Sequence, residues 1–170
     1  GCVDVCPVDC IYEGPDQLCI NGRKKMRTVR YDPVMVQPMR DELTRMGFEE
    51  LLTPEDVDQV LGAEDGTVLM VVNSVCGCAA GKARPGVRLA LEHSVRPARL
   101  ATVFAGMEID ATERARSHFI GYPPSSPQIA LFREGQLVHM LERQDIEGRS
   151  AEAIAGELRT AFDKYCAPAA

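Results

Sequence analysis

Nowhere in its 170 residues does this chain carry an apolar run approaching the ~20 residues that a membrane-spanning helix needs. A charged n-region followed by an apolar h-region is also missing, so no secretory leader is read. Aromatic residues are scarce, at 5%, and no basic stripe is interleaved with them; together with a formal net charge of −6 this disfavours nucleic-acid binding. Internal repeats and low-complexity tracts are absent. Seven cysteines, an odd and unevenly spread set, do not make the framework of a secreted disulfide scaffold. The expected address is the cytoplasm, with neither membrane nor nucleic acid as partner.

What is present is the make-up of a soluble globular protein, 45% hydrophobic and 26% charged. The length suits one domain of ordinary size with a short appendage. A start at Gly1 rather than Met is what a fragment or a processed product would have.

The stretch Thr67–Pro85, TVLMVVNSVCGCAAGKARP, organises the rest. Its β-branched and apolar opening, Thr67 to Val72, reads as a fully buried strand. The chain then turns through Asn73-Ser74 into Cys76-Gly77-Cys78, and Ala80, Ala83, Val87 and Leu91 follow at helical spacing. Two thiols therefore sit one residue apart where a buried strand becomes a helix. Unpaired N–H groups and a partial positive charge at a helix N-terminus favour a thiolate, the nucleophile of disulfide exchange. Cys76, first in sequence and expected to be the more exposed, is the candidate attacking sulfur, and Cys78 the resolving one. Gly77 is expected to let the backbone fold tightly enough to bring the sulfurs together. A bridge across one intervening residue would be strained and readily reduced. Two small buried residues, or half of a soft-metal site, are the alternatives. Pro85 inside this helix is expected to kink it against the carbonyl of Gly81.

Four other cysteines, at 2, 6, 10 and 19, lie in the first 22 residues. Cys2-x3-Cys6-Pro7 matches the closing half of the bacterial iron–sulfur cluster pattern. The segment CVDVCPVDCIYEGPDQL resembles the first half of a seven-iron bacterial ferredoxin. That resemblance implies ligand roles for Cys2 and Cys6, but the downstream Cys-x2-Cys-x2-Cys run never comes. Residues 1–22 are read as a non-functional ferredoxin-like fragment from a truncated fusion or misjoined frame, with 23–30 a basic linker. A cluster is not expected, although an iron–sulfur electron carrier built on these cysteines is the second functional reading.

Downstream, Tyr31-Asp32-Pro33 leads into a helix with Met39, Leu43 and Met46 on one face, closing at Gly47. Thr53-Pro54-Glu55-Asp56 supplies an N-cap, a first-turn proline and two carboxylates for a helix ending at Gly62. Leu100–Ala105 is a strand, and Asp110 begins a capping box for a helix through Phe119. Gln128–Arg133 and Gln136–Arg143 flank Glu134-Gly135 as a hairpin, and Ser150 caps a last helix carrying Ile154, Leu158, Ala161, Phe162 and Tyr165.

Strands joined by helices imply parallel pairing, and the hairpin adds an antiparallel edge. The fold class is α/β: a thioredoxin-like mixed sheet with helices on both faces. In that fold a loop proline before the hairpin lies beside the reactive cysteines, which marks Ser126 and Pro127 as substrate-binding candidates and predicts a cis bond between them, although cis bonds are a minority at proline. Gly77 joins them as a substrate contact. Lys82 and Arg84 either favour the thiolate, bind a ligand carboxylate, or are solvated helix-face charges. His93, His118 and His139 share no ligand spacing and are read as incidental. Cys166 is read as an end cysteine rather than an accessory redox thiol.

Residues ~31–166 resemble the bacilliredoxins, through PMRDELTRMGFEEL, VVNSVCGCAAGKARPG, TVFAG, PPSSPQIAL, IEGRS and AFDKYC. The resemblance implies removal of bacillithiol from protein mixed disulfides, with thiol–disulfide isomerase activity also attributed to the family. It implies Cys76 as attacking residue with Cys78 its neighbour, bacillithiol as co-substrate and no bound cofactor. Partners would be oxidised or bacillithiolated client proteins and a low-molecular-weight thiol.

Overall fold

A strand of seven consecutive buried residues, β2 (Thr67–Asn73), lies at the centre of the sheet. Side chains alternate across a strand. Val68, Met70 and Val72 thus enter one core cluster, and Leu69 and Val71 the other. An apolar run without polar alternation is what burial on both faces demands. The computed structural model describes residues 28–168. The ferredoxin-like fragment at 1–22 lies outside them, as does most of the linker at 23–30; within its last residues, the Arg30 N–H donates to the Gly106 carbonyl at 2.8 Å.

β3 (Arg99–Phe104) runs parallel to β2, and the two-residue β1 (Glu49–Glu50) lies parallel outside β3. On the other side β4 (Gln128–Arg133) is antiparallel to β2, and β5 (Gln136–Leu141) antiparallel to β4. The order is β1-β3-β2-β4-β5. Glu134 and Gly135 both have positive φ, 51° and 76°, as a tight two-residue hairpin turn requires.

α1 (Pro33–Thr44) is capped by Asp32, whose carboxylate accepts the Val34 N–H at 2.8 Å. α2 (Pro54–Leu61) has a complete capping box between Thr53 and Asp56. α2 and α4 (Ile109–Ser117) cover one face of the sheet through Val57, Val60, Leu61, Ala111 and Ala115. α3 (Arg84–Ala90) and α6 (Ala151–Tyr165) cover the other through Val87, Ala90, Ile154, Leu158 and Phe162, joined by Leu43 of α1. Each large aliphatic side chain so buried contributes about 1.5–3 kcal/mol. The result is the thioredoxin-like mixed sheet expected, with helices on both faces.

Several details differ from the sequence reading. Pro85 does not kink an α-helix: residues Ala79–Ala83 form a π-helical turn, the Arg84 N–H bonds to the Ala79 carbonyl, and Pro85 falls in the first turn of α3, where its missing N–H is not needed. The buried stripe is therefore Ala79, Ala83, Val87 and Ala90, while Ala80 is exposed and Leu91 only partly buried. Asp110 lies in the first turn of α4 rather than capping it. The carboxylate preceding that helix, Glu108, accepts the Phe104 N–H at 3.0 Å and pairs with Arg40. β5 stops at Leu141, because Glu142 and Asp145 form a capping box that starts a further short helix, α5 (Arg143–Glu147).

Candidate active site

The candidate site forms where β2 ends. The Asn73 side-chain oxygen accepts the Ser74 N–H at 2.9 Å, and the Ser74 hydroxyl accepts the Cys76 N–H at 3.2 Å. The Cys76 carbonyl then receives the N–H groups of Ala79 and Ala80 at 3.1 and 3.2 Å, opening the helical run. The Ala79 N–H also points at the Cys76 sulfur, 3.4 Å away. Cys76 thus holds the helix-start position that the sequence predicts, with a backbone donor directed at its sulfur.

Both thiols are half-buried, and neither is in a disulfide. Cys78 packs against the core cluster between the sheet and α3/α6. Burial, then the hydrogen bond with Cys76 and the repulsion of its charge, push the Cys78 thiol up to about 12. Arg143 pulls it down and Glu147 pushes it up, both from α5. Cys78 thus holds its proton near neutrality and can direct it toward the Cys76 sulfur. Gly77 does not have the positive φ that would explain glycine by backbone freedom. A Cβ placed there would meet nothing within 4 Å, so what glycine leaves is open space beside the two sulfurs.

The Ser126–Pro127 bond is cis, as expected, and Ser126 is fully buried. Val72 pairs with Gln128, and continuing that antiparallel register by one residue sets Pro127 beside Asn73, at the mouth of the cysteine loop. The preceding loop is tied down from two helices: Arg116 of α4 donates to the Ser125 carbonyl at 2.8 Å, and the Arg143 N–H to the Ser125 hydroxyl at 3.4 Å. Buried Gln128 donates to the Pro123 carbonyl at 3.1 Å. Gln128, Arg116 and Arg143 were not singled out from sequence. The Glu142…Asp145 spacing was the available signal for α5, and reading the strand through Arg143 hid it.

Of the two cations past the cysteines, Arg84 is not a solvated helix-face charge, whereas Lys82 is partly exposed. Arg84 is buried, at 2% exposure, and Lys82 donates to the Glu147 carbonyl on α5. The three histidines are spread over the molecule, each facing a carboxylate: His93 lies 2.7 Å from Asp163, His118 3.5 Å from Asp58 and His139 3.1 Å from Glu157. Cys166 follows α6, its thiol raised by burial and lowered by a hydrogen bond with Thr67. Thr67 is the first residue of β2, whereas Cys76 follows its last, so Cys166 sits at the far end of the sheet from the paired thiols. Among the described residues no three His, Cys, Asp or Glu side chains are grouped to hold a metal ion, and no helix is long and apolar enough to cross a membrane.

A family model described as disulphide isomerase matches residues 31–166. A bacilliredoxin of Koribacter versatilis is 57% identical over 136 residues, which is 80% of this chain and 94% of the relative. A bacilliredoxin of Halalkalibacterium halodurans is 50% identical over 132 residues, 78% of this chain and 92% of the relative. Among solved structures, a thioredoxin of Malassezia sympodialis aligns with a TM-score of 0.46 and 14% identity, over 85% of this chain and 100% of that one.

Proposed function

The chain belongs to the disulphide isomerase family, with the bacilliredoxins, and is a thiol–disulfide oxidoreductase; from that premise we propose that it removes bacillithiol from protein mixed disulfides, with Cys76 as nucleophile. The Cys76 thiolate attacks the bacillithiol sulfur of the mixed disulfide. The client–bacillithiol S–S bond breaks, the client leaves as a thiolate, and bacillithiol remains joined to Cys76 by a new S–S bond. Cys78, after losing its proton, attacks Cys76 and releases bacillithiol, forming the Cys76–Cys78 bridge. Alternatively, a free bacillithiol thiolate attacks the bound one, giving bacillithiol disulfide and regenerating the Cys76 thiolate. The electron count balances in either route, since each step exchanges one disulfide for another.

The observation that supports this reading above others is the asymmetry of the two thiols. A backbone N–H points at the Cys76 sulfur, and burial keeps the neighbouring Cys78 protonated. The loop at Ser126-Pro127 is proposed to pair with client backbone beside the mixed disulfide, with Gly77 leaving room for it. Disulfide isomerisation uses the same Cys76 attack on a client bridge. The proposed setting is the cytoplasm, where a low-molecular-weight thiol returns the protein to its dithiol state.

The test is a release assay on reduced wild type, Cys76→Ala and Cys78→Ala proteins, each mixed with a bacillithiolated client, with intact masses followed over time. Release by wild type and Cys78→Ala, with a bacillithiol adduct on Cys76, is the expected result. Release by Cys76→Ala but not Cys78→Ala would reverse the roles, and release by none would remove bacillithiol as the substrate.

A further inference from the structure

Among the described residues, Arg84 is the only buried charged side chain, and the chemistry assigned to Cys76 and Cys78 does not use it. It is brought inward by the π-helical turn. At 3.6 residues per turn, a residue five positions after Ala79 would lie about 140° round from it, away from the sheet. The wider turn, closed by the Arg84 N–H on the Ala79 carbonyl, leaves Ala83 and Arg84 buried in succession.

The guanidinium then meets the backbone of the cysteine loop. One terminal nitrogen donates to both the Asn73 side-chain oxygen and the Ser74 carbonyl, each at 3.0 Å. Nε donates to Glu42 of α1 at 2.7 Å. Asn73 is held from its other side as well, its amide donating to the Met39 carbonyl at 3.0 Å. Ser74, gripped at its carbonyl by Arg84, is the residue whose hydroxyl receives the Cys76 N–H. Three acceptors in different directions suit a planar fork with five donors; a lysine ammonium reaching to the same depth would not serve them all.

We propose that Arg84 is a positioning residue for Cys76: through Asn73 and Ser74 it fixes the turn that seats the nucleophile, and it holds a permanent positive charge beneath the cysteine loop, with Glu42 setting how much of that charge the sulfur experiences. The proposal rests on Cys76 being the nucleophile. Glu42 is 46% exposed, so its carboxylate is partly screened and offsets the buried cation incompletely. The charged or titratable groups that act on Cys78 are Cys76 and, on α5, Arg143 and Glu147, whose carbonyl accepts from Lys82. They stay unchanged in every variant.

The experiment uses the full chain as wild type, Arg84→Gln, Arg84→Lys and Glu42→Gln. The rate of alkylation of the peptide carrying Cys76 is followed against pH by mass spectrometry, alongside thermal unfolding and client-release kinetics. Arg84→Gln is expected to move the Cys76 midpoint up, and Glu42→Gln to move it down. Arg84→Lys is expected to keep the midpoint but lower kcat/KM for release several-fold, because the turn is no longer held. Opposite displacements from two partners of one ion pair are a readout that loss of packing alone would not give. Midpoints unchanged in both Arg84→Gln and Glu42→Gln, whatever the melting temperatures do, would overturn the electrostatic role. Wild-type release by Arg84→Lys would overturn the positioning role. Should Arg84→Gln fail to fold, the half-exposed Glu42→Gln decides: a fall in the midpoint supports the proposal, and no change overturns it. Release by Cys76→Ala would instead defeat the assignment on which the proposal stands, so the two failures are separable.

Discussion

Gly86 of α3 lies directly against Ile154 of α6: a Cβ on Gly86 would come within 2.8 Å of the Ile154 Cγ2 and 3.2 Å of the Ala151 carbonyl. Contacts this short are with a branched, fully buried side chain and a backbone oxygen, neither of which can swing aside. The α3–α6 approach behind the cysteine helix is therefore set by the absence of one side chain.

Gly86→Ala is accordingly expected to destabilise the fold by about 1–3 kcal/mol through overpacking. Adding Ile154→Ala, which alone should cost about 2–5 kcal/mol, is expected to produce a double mutant more stable than the sum of the two losses. Chemical denaturation of the four proteins checks this, and strict additivity would contradict the contact.

In reduced wild type, limited alkylation near neutral pH is expected to label Cys76 and spare Cys78, whose thiol is pushed up to about 12 chiefly by burial. In Cys76→Ala the hydrogen bond and charge of Cys76 are gone while the burial stays, so the Cys78 midpoint should fall yet remain above the ordinary thiol value of 9.0. The folded state holds this proton more tightly than the unfolded chain. The stabilisation is complete below about pH 9 and is lost as pH rises toward 12. Alkylation profiles and alkaline unfolding measure the two effects.

Gly77→Ala should fold with the stability of wild type, because the added Cβ meets no atom within 4 Å and no positive φ is required. If the open space beside the sulfurs receives the client, the variant should show a raised KM for release with little change in melting temperature. An unchanged KM would remove Gly77 from the substrate contacts.

Thr53→Ala should destabilise the protein by about 1 kcal/mol, since the hydroxyl accepts the Asp56 N–H at 3.2 Å at the start of α2. The reciprocal bonds from the N–H groups of Leu52 and Thr53 hold the Asp56 carboxyl below its usual value of 3.8. With a depressed folded value, its contribution is present above about pH 3.8 and is lost as pH falls through that folded value. Asp56→Asn should flatten this part of the acid-side stability curve, as followed by denaturant midpoints between pH 5 and pH 2.

Asp145→Ala should fray α5 by removing the carboxylate that accepts the Glu142 N–H at 3.0 Å. α5 carries Arg143 and Glu147 to Cys78 and holds Lys82 through the Glu147 carbonyl. Client release should therefore slow several-fold, and Cys78 should become more readily alkylated as its surroundings open. Wild-type rates would show that α5 has no part in the site.

Local chemistry accounts for what was legible beforehand. The apolar run from Thr67 to Val72 had no polar alternation and is buried on both faces. The Thr53 and Ser150 caps, the Glu134-Gly135 turn and the helix start at the two cysteines each depend on residues a few positions apart, so they could be read from spacing. β1 could not, because two glutamates carry no strand signal and pair only because β3 presents a free edge. The cap of α4 was misplaced because Glu108 turns back to the Phe104 N–H and across to Arg40, partners that only the folded chain supplies.

By itself the sequence determined the strand–cysteine–helix junction and the two-faced core, because propensity and apolar periodicity act over short distances. The cis bond before the hairpin is expected from the thioredoxin-like fold, since a proline alone favours trans. Only the tertiary structure decided which charges serve that junction. Spacing alone leaves Arg84 open between a charge serving the thiolate, a ligand contact and a solvated helix-face cation. The π turn places it under the loop, where Asn73, Ser74 and Glu42 converge from the end of β2 and from α1. A charge can be buried only where such partners meet, and their meeting depends on the packing of elements up to 42 positions apart in the chain.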